Sequence, residues 1–524
     1  MFSSTRIKLL FLLLQTLEIL GHPNVSEFTI DTCKQLNATI NITCTELDTH
    51  TTIVFNNEEH FKIYVSKDYQ SFTISCIGTA EDMLQIVGNL PELSLSRIQD
   101  ITIDGCIPFD DIFRRLGIST GTMVKLQRGV TNTALKRSHL TSLDGVNEFV
   151  LSGFGQLDVD ILTDMRSIET LKFAWLEAPL PAGFLEPISA HLRQIQMRDN
   201  RLQTPPARLF APLRHLELLD LSYNGLSVIP ADSFQQLYNL TELDLSNNRI
   251  ERLPADVFRS LRELTVLYLS NNRLQQLELG TFAKLGNLQH LEIENNALDL
   301  DAAVACNIFD GLTKLEYLEL SNNSLSVYCL PHQMGSVRVK VAHNRISALL
   351  VHAAGEYQPR QLANLNLRNN RLRQLSEETL LYLHDSLADI SLAHNPWQCD
   401  CASVLWFNFV KLNSKRVSDL EELSCADGNA QGQVARLTSS DVCKPESHLY
   451  YIIAIVALAT VALTLLAVTV GAYRRASRRS AGKQNSCAER VITRHWTNGS
   501  KIPKYSSYFD VRRNTRRLLF CFPL

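Results

Sequence analysis

The stretch LELLDLSYNGL, residues 216–226, returns with the same spacing three more times along the chain. The copies read LTELDLSNNRI at 240–250, LTVLYLSNNRL at 264–274 and LQHLEIENNAL at 288–298, each 24 residues after the last. Every copy has apolar residues at its first, fourth, sixth and eleventh positions and asparagine at its ninth. A repeated unit of this size predicts coils that stack into a solenoid, because one coil cannot bury its apolar side alone.

Physical chemistry explains which residue types occur at each position of the repeat. Successive side chains of a strand point to opposite faces, so Leu219 and Leu221 are expected to face a core while Asp220 faces outward. The asparagine amide can satisfy buried backbone groups at the turn, and stacked copies predict an asparagine ladder. The return stretches supply phenylalanines that are expected to fill the core from the convex side: Phe234, Phe258, Phe282 and Phe309.

The pattern resembles the leucine-rich repeat, and weaker copies bring the total to about 13 between residues 95 and 394. The following sequence, PWQCDC at 396–401 and LWF at 405–407, resembles the cysteine-flanked C-terminal cap of animal leucine-rich-repeat proteins. That resemblance implies disulfides between Cys399 and Cys425 and between Cys401 and Cys443. We therefore expect an α/β solenoid, a leucine-rich-repeat horseshoe with a concave parallel β-sheet.

Two apolar segments predict how the chain meets a membrane. Arg6 and Lys8 precede a short apolar run, which indicates a secretory signal peptide, with a membrane anchor as the alternative. A second, uncharged segment at 449–473 exceeds the roughly 20 apolar residues that one transmembrane helix needs. Several arginines from Arg474 onward follow it, so the positive-inside rule predicts a cytoplasmic C-terminus. We expect a single-pass type I protein of the plasma membrane with its N-terminus extracellular.

Charge is distributed unevenly between the predicted compartments. The tail from Arg474 carries 13 Lys and Arg residues against Glu489 and Asp510, so with a net charge of −3 overall the remainder is near −14. An acidic exterior argues against nucleic acid as a partner, because nucleic-acid sites need basic patches. The predicted regions are a signal peptide at 1–21, an N-terminal cap or divergent region at 22–94, leucine-rich repeats at 95–394, the C-terminal cap at 395–445, a transmembrane helix at 449–473, and a basic tail at 474–524 that is expected to be disordered.

Cysteines and glycosylation sequons fit a secreted compartment. Ten of the twelve cysteines precede the predicted span, and an even number there indicates disulfides. Cys306 and Cys329 fall in successive return loops and are candidates for a bridge. Cys33 and Cys44 are a second candidate pair, whereas Cys76 and Cys106 are either paired or free in the core. Sequons predict N-glycosylation at Asn24, Asn37, Asn41, Asn239 and Asn322.

Outward-facing residues of the concave strands are the candidate ligand-binding residues. Acidic groups around two tyrosines suit a partner with basic and apolar features. The alternative is that these acids are ordinary solvated residues of the repeat. The candidates are Asp220, Glu242, Asp244, Tyr268, His290, Glu292, Tyr317 and Glu319. The degenerate stretch at 118–187 is a second candidate contact surface.

The tail has a few candidate contact residues. Tyr505 and Tyr508 are either phosphorylation or adaptor sites or plain exposed tyrosines, and Cys487 is a candidate for palmitoylation. The last four residues, 521–524, match either a prenylation signal or a ligand of a PDZ-type domain. A small-residue pair in the span, Ala467 and Gly471, is compatible with a homodimer or with chance.

The sequence contains none of the spacings that carry catalysis, so we expect neither an enzyme nor a cofactor or metal site. The resemblance implies a cell-surface recognition or adhesion receptor that binds an extracellular or cell-surface protein through its repeat face. The alternatives are an accessory co-receptor that presents or sequesters a ligand, and an innate-immune pattern-recognition protein.

Overall fold

The computed structural model divides the chain into two units, residues 1–444 and 445–524. It describes residues 42–46, 50–55, 61–66, 71–76, 99–105, 107–108, 122–128, 134–176, 179–331, 336–352, 362–386, 388–428, 430–443 and 448–481. The predicted signal peptide, the tail residues Cys487, Tyr505 and Tyr508, and the sequons at Asn24, Asn37 and Asn41 lie outside these ranges. The candidate pair Cys33 and Cys44 and the thiols of Cys76 and Cys106 are likewise outside the described side chains.

A sheet of 17 strands dominates the described part of the first unit. Thirteen of its strands run parallel, one for each repeat counted in the sequence, as the horseshoe prediction requires. These strands are β5 (Asp100–Asp104), β6 (Thr122–Gln127), β7 (Val146–Ser152), β8 (Thr170–Ala174), β9 (Gln194–Gln196), β10 (Leu218–Asp220), β11 (Glu242–Asp244), β12 (Val266–Tyr268), β13 (His290–Glu292), β14 (Tyr317–Glu319), β16 (Val337–Lys340), β18 (Leu362–Asn366) and β19 (Asp389–Ser391).

Four antiparallel strands extend this sheet at its N-terminal end. They are β1 (Ile42–Glu46), β2 (His50–Phe55), β3 (Phe61–Ser66) and β4 (Ser71–Cys76). Parallel pairing begins between β4 and β5, where Ser71 lies opposite Asp100. The sheet is therefore continuous across residue 95, where the sequence pattern places the first repeat.

An asparagine in each regular coil fixes the turn that comes after the strand. The Asn248 Nδ2 donates to the carbonyl oxygens of Leu221 and Leu245, each at 3.0 Å, and its Oδ1 accepts from the Leu226 amide at 3.0 Å. One side chain thus binds backbone groups of two successive coils, and it supplies the acceptor for the buried Leu226 amide. The residue before it, Asn247, has a φ of 56°, a left-handed conformation that asparagine tolerates better than most residues.

A column of phenylalanines supports the opposite side of the same coils. The rings of Phe234, Phe258, Phe282 and Phe309 stack at centroid distances of 6.3, 6.2 and 6.1 Å. Their neighbours inside the sheet are leucines with no exposed surface, such as Leu243 and Leu267. The core is therefore one continuous stack from coil to coil, and each coil buries its apolar side against the next.

A small second layer lies on the convex side around the insertion in the repeats. Strand β15 (Val327–Cys329) pairs in parallel with β17 (Ala348–Leu350). The structure joins Cys306 to Cys329 by a disulfide, which ties β15 to the short helix α2 (Ala302–Asn307). The first short helix, α1, spans Ala207–Phe210.

The C-terminal cap closes the last coil. Strands β20 (Trp397–Cys399), β21 (Ser424–Gly428) and β22 (Gly432–Gln433) form a small sheet. Around it lie the helices α3 (Glu377–Ser386), α4 (Val404–Leu412) and α5 (Ser439–Val442). The structure contains the two disulfides that the resemblance implies, Cys399 with Cys425 and Cys401 with Cys443.

Two side chains of the cap replace the coil that would come next. The Trp397 ring is fully buried, stacks on Trp406 at 4.6 Å, and donates from Nε1 to the Leu392 carbonyl oxygen at 2.9 Å. The Asp419 carboxylate accepts from the amides of Leu392 at 2.9 Å and Ala393 at 2.7 Å. Because a further strand would normally accept from such amides, Asp419 terminates the ladder without leaving buried donors unpaired.

The second unit contains one helix, α6 (His448–Ala481), in its described part. Within it, residues Ile453–Ala472 form a segment long and apolar enough to cross a membrane. This window overlaps the span predicted at 449–473.

Candidate ligand-binding face

The concave sheet brings the eight candidate residues together on five adjacent strands, β10–β14. In β10–β13 the middle residue is buried and the residues on either side of it are half-buried, whereas in β14 Glu319 is buried as well. The register aligns the third residues of these strands in one row, which reads Asp220, Asp244, Tyr268, Glu292 and Glu319. Since neighbouring strands lie about 4.8 Å apart, adjacent members of the row are in direct reach of each other.

A ladder of three aromatic rings crosses the centre of this face. The His290 ring stacks on Tyr317 at a centroid distance of 4.5 Å and meets Tyr268 edge-on at 5.6 Å. The His290 Nε2 lies 2.7 Å from a carboxylate oxygen of Glu292. All three rings are half-buried, so each presents part of its surface to the concave space. A flat aromatic surface edged by carboxylates is suited to apolar and cationic groups.

One end of the face carries negative charge that is only weakly compensated. Burial raises the pKa of the Glu242 carboxyl above its ordinary value, and the carboxylates of Asp244 and Asp220 raise it further. Burial also raises the pKa of Asp244, although the Ser246 amide donates to its carboxylate at 2.8 Å and opposes the shift. One cation on this side, the Arg198 guanidinium, has its Nε 3.9 Å from an Asp220 carboxylate oxygen. A cationic ligand would relieve this repulsion.

The other end of the face is internally compensated. The Lys340 Nζ donates to the Tyr317 hydroxyl at 2.7 Å and lies 3.3 Å from the buried Glu319 carboxylate. The Tyr317 hydroxyl in turn donates to Glu319 at 3.0 Å. The hydrogen bond to Tyr317 is the main reason that the pKa of Lys340 is raised. Strands β14 and β16 are thus held by their own polar network.

Two members of the face, Glu294 and Lys340, are absent from the sequence-based set. Glu294 lies two residues after Glu292 in the same coil, and burial together with Glu319 and Glu292 raises its pKa. The same repeat position is serine in the two preceding coils, at Ser246 and Ser270. The change from serine to glutamate at this position is the sequence feature that could have identified Glu294. Lys340 follows Glu319 in the outward row that the short repeat copy with Val339, Val341 and Asn344 predicts, but the candidate set ended at Glu319.

The two sequons in the described part lie outside the strands β10–β14 that carry the candidate residues. Asn322 is exposed and has a φ of 55°, in the turn directly after β14. Asn239 is exposed in the loop that leads to β11. In the described ranges of the chain, no group of three or more His, Cys, Asp or Glu residues is arranged to hold a metal ion.

Comparison with known proteins identifies the repeats. A family model described as leucine rich repeat matches residues 190–250 and 238–298. Protein toll of Drosophila melanogaster is 27% identical over 100 residues, which are 19% of this chain and 9% of that protein. The chain therefore matches less than a tenth of the length of this curated relative.

Several solved structures are similar in fold. The Toll–Spatzle complex of Drosophila matches with a TM-score of 0.37 and 14% identity, covering 80% of this chain and 100% of the other. The complex of Latrophilin 3, Unc5D and FLRT2 matches with a TM-score of 0.46 and 23% identity, covering 57% and 90%. The complex of TLR13 with ssRNA13 matches with a TM-score of 0.42 and 19% identity, covering 71% of this chain and 65% of the other. These similarities do not identify a ligand. The family-model match and the sheet of thirteen parallel strands show that the chain contains a leucine-rich-repeat solenoid.

Proposed function

We propose that the chain is a cell-surface recognition or adhesion receptor that binds an extracellular protein through the concave face of β10–β14. The signal peptide predicted at 1–21 and the basic residues that follow the apolar window of α6 support an extracellular repeat domain and a cytoplasmic tail at the plasma membrane. The observation that carries the proposal is the weakly compensated charge of Glu242 and Asp244 beside the Tyr268–His290–Tyr317 ladder.

The chemistry of this face favours a protein ligand that offers a lysine or arginine beside an apolar group. A guanidinium or ammonium group near Tyr268 would meet carboxylates on both neighbouring strands, Asp244 and Glu292. It would also contact the face of an aromatic ring, which attracts cations. Such an anchor in a partly desolvated centre has the composition of an interface hot spot. A co-receptor would differ from this proposal in how the signal passes on after binding, and a pattern-recognition protein would differ in the class of its ligand.

The experiment uses the secreted repeat domain, residues 22–444, displayed on beads. Self-aggregation of the beads would make the protein a homophilic adhesion receptor, and staining of particular cell types without aggregation would make it a heterophilic one. We expect the variant Glu242→Gln/Glu292→Gln to reduce whichever signal is seen by about tenfold or more, the scale of a hot spot. The matched control is Glu251→Gln, an exposed acid outside the concave strands. Equal loss in both variants, or loss in neither, would overturn the assignment to this face.

The tail distinguishes a receptor from a co-receptor. In a cell that responds to the ligand, a chain truncated after Lys483 keeps its repeat domain and its span. Loss of the response with unchanged surface binding is the receptor outcome. An intact response in the truncated chain would mean that a partner protein carries the signal.

A further inference from the structure

The cap helix α4 carries an apolar stripe that nothing covers in the described part of the chain. Leu412 is 86% exposed and Leu405 is 57% exposed. They are seven residues apart, so they lie on one side of the helix about two turns from each other. The other apolar residues of α4 face inward, and Trp406, Phe407 and Val410 are buried. The exposed leucines are therefore additional to the residues that the cap needs for its own core.

The same stripe marks the place where the chain leaves the cap. Cys401, four residues before Leu405, is joined by a disulfide to Cys443 with a Cα–Cα distance of 4.5 Å. Asn408 lies on the stripe between the two leucines, and its Oδ1 accepts from the Ser439 hydroxyl of α5 at 2.7 Å. The last residues of the cap are thus fastened along the side of α4 that carries Leu405 and Leu412.

Only four residues, 444–447, separate Cys443 from the start of α6. A chain extends at most about 3.6 Å per residue, so this connection spans no more than about 18 Å. If α6 crosses a bilayer, as the proposed function requires, the exit side of the cap is held close to the outer surface of that bilayer.

We propose that Leu405 and Leu412 dock the cap onto the outer surface of the bilayer in which α6 is anchored. Two leucines about 10 Å apart are far too small for a stable protein interface, which buries about 800 Å² on each partner. A tethered contact needs much less, because the connection keeps the effective concentration of the membrane surface high. Apolar side chains that enter the headgroup boundary are an ordinary means of membrane contact. Docking would fix the direction in which the repeat domain, and hence its concave face, projects from the cell.

The test places a photoreactive benzoylphenylalanine at single positions of the full chain in phosphatidylcholine nanodiscs. After irradiation, mass spectrometry measures the fraction of protein that carries a covalently attached lipid. We expect position 412 to give about tenfold more lipid adduct than position 279, where Leu279 is 52% exposed on the repeat domain, because only the former is held at the surface. Position 463, in the apolar part of α6, is the reference for insertion.

The outcomes separate this proposal from the proposed function on which it rests. Adducts at 463 but equally few at 412 and 279 would overturn docking and leave the membrane span intact. Cross-linked protein dimers through position 412 would also overturn it, since a second copy would then cover the stripe. An absence of adducts at 463 would overturn the span itself and docking with it.

Discussion

Strands β10–β14 present one face to the core and the other to the concave space, and the two faces differ in how much they vary between coils. The inward residue is leucine in all five strands: Leu219, Leu243, Leu267, Leu291 and Leu318. The outward row changes from aspartate to tyrosine to glutamate over the same strands. Packing against the next coil dictates the inner face, whereas nothing in the fold requires the particular charges and rings of the outer one. We infer that the inner face determines stability and the outer face determines ligand choice.

The core against which the inner face packs should respond most strongly to loss of a stacked ring on its convex side. Phe258 is fully buried between Phe234 and Phe282, so Phe258→Ala removes contacts to two coils. We expect a loss of about 3–5 kcal/mol in the free energy of unfolding, measured on the repeat domain by urea denaturation. A loss of less than about 1 kcal/mol would mean that the coils do not share one core.

Loss of a ladder amide should cost somewhat less. Asn272→Ala leaves unpaired the amide of Ile250, which donates to Asn272 Oδ1 at 3.0 Å. It also removes one of the two hydrogen bonds to the Leu245 carbonyl oxygen, at 2.9 Å, while the one from Asn248 remains. We expect a destabilisation of about 2 kcal/mol, because the Ile250 amide is buried. The control is Asn287→Ala, which removes a solvent-exposed hydrogen bond to the Arg262 carbonyl oxygen and should cost less than about 1 kcal/mol. Equal losses of stability in the two variants would contradict a stabilising role of the asparagine ladder.

A substitution on the outer face should have the smallest effect on stability, and it should stabilise the domain where the two substitutions above destabilise it. A raised pKa means that folded Glu242 holds its proton more tightly than the unfolded chain does. This group therefore favours folding at low pH, and its contribution is lost as the pH rises above the ordinary carboxyl range near about 4. Glu242→Gln should stabilise the domain at pH 7 by at most a few tenths of a kcal/mol, since solvent screens a partly exposed group.

The measurement is the midpoint of urea unfolding of both proteins at pH 5 and pH 7. The unfolding midpoint of Glu242→Gln should exceed that of the parent protein by more at pH 7 than at pH 5. The Glu251→Gln control should show no such pH dependence. A variant that is less stable than the parent at pH 7 would show that Glu242 is compensated in the folded protein.

The inner face was largely predictable from the sequence, because its residue types recur at a fixed spacing. The repeat indicated the strand through Leu219, the turn through Asn224 and the convex side of the core through Phe234, together with their copies in other coils. The cysteines indicated the cap. The antiparallel strands β1–β4 carry no repeat, so this part of the chain could be assigned only as a divergent region. The β15–β17 pair was missed for the same reason, since the insertion that contains it interrupts the spacing.

The outer face was predictable in position but not in energetics. The spacing placed Asp244, Tyr268 and Glu292 in one row, and the register of the strands agrees. It did not indicate that Lys340 reaches Tyr317 and Glu319, because this network depends on side-chain reach across strands. That contact separates the compensated end of the face from the weakly compensated end, and so narrows the candidate site toward β11–β13.

The role of the concave face is tested most directly by comparing binding and stability in two single variants of the repeat domain, Tyr268→Ala and Phe258→Ala. Cell staining is measured at a temperature at which circular dichroism shows both variants to be folded. We expect Tyr268→Ala to unfold like the parent but to stain about tenfold less, whereas Phe258→Ala is strongly destabilised but stains normally. Undiminished staining by Tyr268→Ala would contradict a ligand site on the concave face.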